Sequence, residues 1–177
     1  MFASLCGIAF AAQDAGVWLD VPFVKQDDEA CGAASVAMVI EYWQKQRPGW
    51  NIRPPDPATL QRALHSARAH GIYASDLLRY FHEQSFTTLA FPGNWDDLRQ
   101  HLEKGRPLIV ALKPSPLEAS LHYVVVVGVN LKQNFVQVND PAGRKLLKED
   151  RDDFEKEWKG AGHWTLLALP QPPTSQR

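Results

Sequence analysis

The chain has 177 residues, 45% of them hydrophobic and 22% charged, with a formal net charge of −1 and a sequence pI of about 6.6. A chain of this kind can bury the core of one globular domain, and its charge balance leaves no electrostatic footprint for nucleic acid. Six tryptophans and thirteen prolines argue for a compact domain with irregular connections rather than a simple bundle.

Residues 2 to 12, FASLCGIAFAA, form an apolar run of signal-peptide length. Ala9-Phe10-Ala11 has the small-x-small form of a cleavage site, although no basic residue follows Met1. The run is too short to span a bilayer. The expected organisation is a signal peptide over 1–11 and a single domain over 12–177, ending in a disordered tail over 170–177. The expected location is therefore exported, periplasmic or secreted. The two cysteines are Cys6 and Cys31. Cleavage near Ala11 removes Cys6, and the single cysteine left in an exported chain suggests a free, reactive thiol.

Val17 to Val24 reads as a short strand, with Pro22 marking an edge or a bulge. It leads into Gln26, a short acidic turn, Cys31-Gly32 and a strongly apolar helix ending near Lys45 or Gln46, before Pro48. Val36, Val39, Ile40 and Trp43 sit at i, i+3, i+4 and i+7, one face of an α-helix. Ala33, Ala34, Ser35 and Ala37 are small, so something packs closely on the first turns. A Pro-rich loop covers 47–57. Asp56 as a cap and Pro57 at the first helical position predict a helix over about 57–70, ended by Gly71. Another helix is expected over 73–83 with Ser75 as a candidate cap. A strand follows over 85–91, a Pro-Gly-Asn turn over 92–94, and a helix over 95–104 closed by Gly105.

Pro107 to Leu112 reads as a buried strand. Tyr123 to Val129, YVVVVGV, suggests a strand covered on both faces. Leu131 to Asn134 turns the chain, and Phe135 to Val138 returns as the second arm of a hairpin, ended by Asp140-Pro141-Ala142-Gly143. A short strand over 145–148, a helix over 150–158 and a closing strand over 162–169 complete the domain. A helical half followed by a mainly antiparallel sheet is an α+β arrangement.

Cys31 falls at the start of its helix. Unpaired N–H groups and the positive end of the helix dipole favour an anion there, which makes a thiol a better nucleophile. The competing reading is a buried structural cysteine. His122 opens the YVVVV strand and Asp140 closes the return strand, so the hairpin sets position 122 opposite about 140–142. A carboxylate on one ring nitrogen fixes the tautomer and leaves the other for a thiol. Cys31, His122 and Asp140 then read as nucleophile, base and orienter, with Asn139 as the rival orienter and His163 as the rival base. Gln26, just before the thiol, can donate to a developing oxyanion together with the Cys31 N–H. His65, His70, His82 and His101 lie on predicted helices without metal-ligand spacing. The acidic runs 27–29 and 149–153 read as solvated faces, since neither has the spacing of a calcium loop.

The stretch VPFVKQDDEACGAASVAMV, then HYVVVVGV, then NDPAG resembles the bacteriocin-processing (double-glycine leader) cysteine peptidases, the thirty-ninth cysteine-peptidase family. The resemblance spans about Val17 to Leu169. It implies a papain-like fold, with an N-terminal helical part carrying the cysteine and a sheet part carrying the histidine and aspartate. By match, Cys31 is the nucleophile, His122 the general base, Asp140 its partner and Gln26 the oxyanion donor. Family members cleave leader peptides after a Gly-Gly pair, and no metal or organic cofactor is implied. Many are the N-terminal domain of an ABC transporter. This chain has no membrane span or phosphate loop and reads as a stand-alone, monomeric relative with a peptide or protein substrate and a functional link to an export system. A cell-wall or other amide hydrolase with the same triad, and a non-catalytic peptide-binding module, are the alternative readings.

Overall fold

The computed structural model describes residues 16–27, 29–49, 53–115 and 120–172. The signal segment over 1–11 and the last five tail residues lie outside them. Among the described residues, fourteen elements follow one another: β1 (Val17–Trp18), α1 (Cys31–Gln46), α2 (Pro57–Leu64), β2 (His65–Ser66), β3 (Gly71–Ile72), α3 (Ala74–Glu83), β4 (Phe86–Pro92), α4 (Trp95–Glu103), β5 (Leu108–Leu112), β6 (His122–Asn130), β7 (Phe135–Asn139), β8 (Leu147–Asp150), α5 (Arg151–Gly160) and β9 (Trp164–Pro170).

Three of the helices open on side-chain caps. Asp56 accepts from the Thr59 N–H at 2.9 Å to open α2. Asn94 and Asp97 form a reciprocal capping box on α4, and Asp150 caps α5 by accepting from the Asp152 N–H. By contrast, no side chain caps α1, whose N-cap residue is Ala30. The first-turn amides of α1 are thus left to whatever faces Cys31.

Seven antiparallel strands form the main sheet in the order β4-β9-β5-β6-β7-β8, with β1 added against β6. β6 is buried over all of Tyr123–Val129, as a strand covered on both faces requires. Tyr123, Val125 and Val127 pack with Val36, Val39 and Ile40 of α1. Val124 and Val126 pack with Leu98 and Leu102 of α4 and Phe154 and Trp158 of α5. Helix α1 is buried on nearly every side, with twelve of its sixteen residues inside. Full burial of each large member, such as Val36, Met38 or Ile40, contributes about 1.5–3 kcal/mol. The Ser35 hydroxyl donates to the Tyr123 carbonyl at 3.2 Å and the Trp43 indole to the Ala168 carbonyl at 3.0 Å. These two bonds fix the helix that carries the thiol against the strands.

Some expected boundaries move. The first strand is only Val17–Trp18, and Pro22 lies beyond it. The helix expected over 57–70 stops at Leu64, because the chain turns there into the short hairpin β2-β3, pairing His65 with Ile72. His70 and Gly71 both take positive φ, +48° and +154°, which a helix cannot accommodate. Tyr73, not Ser75, is the N-cap position of α3. Pro170 belongs to β9, paired with Phe86, and Gln171 donates its N–H to the Ser85 carbonyl. The ordered chain therefore reaches further than a tail beginning at 170.

Candidate active site

Cys31 is the first residue of α1 and the one free cysteine among the described residues; it is 8% exposed. His122 is the first residue of β6, and Asp140 directly follows β7. The pairing Val125↔Asn139 and Val126↔Val138 brings the two strand ends side by side. The His122 Nε2 lies 2.7 Å from Asp140 Oδ1. With Nε2 held by the carboxylate, Nδ1 is the nitrogen left for the Cys31 thiol, whose neighbourhood helps to raise the imidazole. The thiol also approaches the Leu121 carbonyl at 3.9 Å.

The electrostatics follow from these contacts. Burial works against a charged imidazole, but the hydrogen bonds and charges of Asp140 and Cys31 outweigh it and push His122 up to about 10. For Asp140, burial raises the carboxyl, yet the His122 bond, its charge and the amides of Ala142 and Gly143 leave it below its ordinary value. The Ala142 N–H donates to Oδ1 at 2.9 Å. Gly143 closes the turn with its N–H on the Asp140 carbonyl at 3.0 Å. A Cβ at Gly143 would stand 2.9 Å from Asp140 Oδ2, so the carboxylate occupies space that only glycine leaves open.

The rival assignments are spent elsewhere. Asn139 is fully buried, donating Nδ2 to the carbonyls of Val21 and Pro22 at 3.1 and 3.3 Å and accepting from the Leu146 N–H at 3.0 Å. It braces the loop that leads to Gln26 rather than the imidazole. His163 pairs with Glu155 at 2.7 Å and packs edge-on against Trp158. The Gln26 N–H donates to the Pro141 carbonyl at 3.0 Å, which ties the segment before the thiol to the residue after Asp140. Its side-chain Oε1 is buried without a partner.

The remaining histidines divide. His82 and His101 lie on α3 and α4, whereas His65 lies on β2 and His70 in the turn after it. His65 Nε2 meets Glu29 Oε2 at 3.0 Å, and Gln61 Nε2 donates to the Glu29 carbonyl at 2.8 Å. Both bonds clamp Glu29, which takes φ +55° two residues before Cys31. Among the described residues, no group of three or more His, Cys, Asp or Glu is placed to hold a metal ion. No described helix is long and apolar enough to cross a membrane.

Three features near the site were not singled out from the sequence. Glu149, in the run expected to be a solvated face, is half-buried on β8. Burial, then the charges of Glu157 and Asp140, push its carboxyl up to about 7, against a smaller opposing pull from His122. Gly143 is one of eleven glycines, and only the folded turn shows what its missing side chain admits. Leu121 lies on the wall beside the thiol and is 36% exposed. Its position before His122 was the available signal.

A thiol at an uncapped helix start, beside an imidazole paired to a carboxylate across a sheet end, defines a cysteine peptidase of papain-like build. The chain belongs to the Peptidase_C39 like family, which matches residues 18–165. It is 29% identical over 150 residues to the lactococcin-G-processing and transport ATP-binding protein LagD of Lactococcus lactis subsp. lactis; the match covers 84% of this chain but 18% of that protein. In fold it is similar to the peptidase domain of Streptococcus ComA, a bifunctional ABC transporter involved in quorum sensing, with TM-score 0.65 and 23% identity, covering 85% of this chain and 98% of that one. It is also similar to a double-glycine-motif protease from an AMS/PCAT transporter, solved with its leader peptide, with TM-score 0.64 and 22% identity, covering 88% and 95%.

Proposed function

We propose that this chain is an endopeptidase that cleaves through a thioester at Cys31, with His122 as general base and acid, Asp140 as its orienter and Gln26 as an oxyanion donor. The observation that carries the reading is the 2.7 Å bond between His122 and Asp140 at the sheet end, with the Cys31 thiol 3.9 Å from the carbonyl of the residue before His122. His122 takes the thiol proton, and Sγ attacks the peptide carbonyl. The oxyanion is received by the Cys31 N–H and the Gln26 amide. His122 returns the proton to the leaving nitrogen and the C–N bond breaks. A water then attacks the thioester, giving its proton to the imidazole. The acid leaves, and the thiol regains its proton.

Cleavage after Gly-Gly is the first specificity to test, because one similar structure is a double-glycine-motif protease and a relative processes lactococcin G. A monomer exported by its apolar N-terminal run, acting on peptides in connection with an export system, completes the reading.

The test is incubation of the full chain with a peptide containing Gly-Gly, followed by intact-mass spectrometry. Expected are cleavage products and an acyl adduct on Cys31, with both absent in Cys31→Ala. A folded wild-type protein that forms neither product nor adduct on any peptide would overturn the endopeptidase reading and leave the two alternatives, an amide hydrolase with the same triad and a binding module.

A further inference from the structure

Gln26 and Cys31, the residues assigned above as oxyanion donors, are joined by the short segment 27–30. That segment is held from two sides. The Gln26 N–H donates to the Pro141 carbonyl at 3.0 Å, which ties its start to the sheet part beside Asp140. Its far end, at Glu29, is tied to the helical part. The Glu29 carbonyl accepts from Gln61 Nε2 of α2 at 2.8 Å. The Glu29 carboxylate accepts from His65 Nε2 of β2 at 3.0 Å, and His70 Nδ1 lies 3.9 Å from its other oxygen. Within the segment, the Ala30 N–H closes a turn on the Asp27 carbonyl at 3.2 Å.

Two observations say that this clamp serves the site rather than the fold. First, backbone strain gathers in it. Six non-glycine residues take positive φ among the described residues, and two of them, Glu29 at +55° and His70 at +48°, face each other here. A side chain in the left-handed region persists only where its surroundings hold it, and glycine would fill the place without that cost. A glutamate at 29 is explained by what its carboxylate grips. Second, the contacts add little stability. The Glu29 side chain is 50% exposed, and exposed ion pairs contribute little. Gln61 also leaves its Oε1 buried with no partner among the described residues, which is unfavourable in itself. What these bonds do fix is the course of the backbone into Cys31.

We propose that Glu29, gripped by Gln61 and His65, is a positioning residue for the oxyanion site. It sets the spacing and direction of the Gln26 amide relative to the Cys31 N–H. Both donors must face one point, the oxygen that becomes negative when Sγ attacks. A misplacement of about 1 Å can cost about 10²-fold in rate. Glu29 takes no part in the bond changes and acts through the backbone on either side of it. The inference rests on the peptidase reading above.

The test uses the full chain and reactions that depend on the oxyanion differently. Cleavage of a Gly-Gly peptide builds negative charge on the carbonyl oxygen. A peptide aldehyde does the same: Sγ adds to the carbonyl carbon, an electron pair of the C=O bond moves onto oxygen, and the thiol proton goes to His122. Alkylation by iodoacetamide does not, because Sγ displaces iodide and no oxyanion forms. In Gln61→Leu, and independently in Glu29→Gly, kcat should fall about tenfold, against the roughly 10²–10³-fold lost when a whole donor is removed. The inhibition constant of the aldehyde should rise by a similar factor, while KM and the alkylation rate of Cys31 stay within about twofold of wild type. Glu29→Gln keeps an acceptor for His65 and should hold kcat within about threefold of wild type. Each kcat is referred to the Cys31 that alkylates in the fast phase, so an unfolded fraction does not mimic the effect. A wild-type kcat in both Gln61→Leu and Glu29→Gly overturns the positioning role and leaves the peptidase reading standing. So does an alkylation rate that falls with kcat, which would mean that the clamp holds the thiol itself, or a Glu29→Gln variant as slow as Glu29→Gly. A wild type that neither cleaves a peptide nor forms an acyl adduct on Cys31 overturns the peptidase reading, and the positioning role with it.

Discussion

His122 Nε2 and Asp140 Oδ1 meet at 2.7 Å, joining the first residue of β6 to the first residue after β7. The bond exists because the hairpin brings the two strand ends together. It does three things at once. It fixes the tautomer, it turns Nδ1 toward the thiol, and it stabilises the charged ring. An amide at position 140 can still hold the ring but cannot balance its charge, whereas alanine can do neither. Asp140→Asn is therefore expected to lower kcat by about 10²-fold, and Asp140→Ala by more, with little change in KM. Steady-state kinetics of the two variants checks this; equal losses would mean that the carboxylate's charge is the whole contribution and that an amide does not hold the ring.

The same bond sets a pH dependence. His122 is pushed up to about 10 in the folded chain, against about 6.5 unfolded. A raised basic group stabilises the fold fully below its unfolded value, and that contribution is lost as pH rises through the folded value. The melting temperature of wild type should therefore exceed that of His122→Ala most at and below about pH 6.5, with the gap closing toward about pH 10. The imidazolium that protonates the leaving nitrogen disappears over the same range, so kcat should fall as pH rises through about 10. Thermal melts of both proteins across this range, with a pH–rate profile, test the sign. A gap that widens with pH contradicts it.

Gly143 offers a way to disturb Asp140 without touching it. An added Cβ would meet Oδ2 at 2.9 Å and Cγ at 3.3 Å. The carboxylate can yield by rotating, so the fold survives, but the rotation draws Oδ1 away from His122. Gly143→Ala should lower kcat by about tenfold or more while shifting the melting temperature only slightly. A variant with wild-type kcat would show that the turn opens to accommodate the methyl group.

How much of this was legible beforehand depends on the range of the determinants. The α1 span was readable because the apolar spacing of Val36, Val39, Ile40 and Trp43 is local and Pro48 stops the helix. The proximity of His122 and Asp140 was readable because one hairpin with a short polar turn separates them. The break after Leu64 was not. The bonds from Gln61 and His65 to Glu29 span more than thirty residues, and strands of two residues leave no alternation to detect. Asn139 could be named as a rival orienter but not dismissed, because its partners Val21 and Pro22 lie more than a hundred residues away. Glu149 read as solvated because its burial comes from β8 lying under α5, a tertiary fact.

Asn139 should be costly to lose even though it does not touch the imidazole. Its fully buried amide makes three hydrogen bonds, to Val21, Pro22 and Leu146. Removing it strands two carbonyls and an amide, each worth roughly 1–3 kcal/mol when buried and unpaired. Asn139→Ala is expected to destabilise the chain by about 2–4 kcal/mol, measured by urea unfolding. It should also reduce kcat, through loosening of the loop that carries Gln26. A loss below about 1 kcal/mol would mean that water replaces the amide.

Glu149 gives a prediction of opposite sign to His122. Its carboxyl, raised to about 7 by burial and by Glu157 and Asp140, holds its proton more tightly in the folded chain than unfolded. A raised acid imposes no penalty below its ordinary value. As pH rises the unfolded chain ionises first, so stability falls until the folded group also ionises, and the full penalty is present above about 7. Glu149→Gln removes that penalty and keeps the shape. It should raise the melting temperature above about pH 7 and leave it nearly unchanged below about pH 4.5. The ionised Glu149 also lies close enough to His122 for their charges to attract, so the variant should move the alkaline limb of the kcat profile to lower pH. Melts and rates of the two proteins at both ends of the range decide it, and a variant less stable than wild type at alkaline pH would show that Glu149 is held there as a partnered anion.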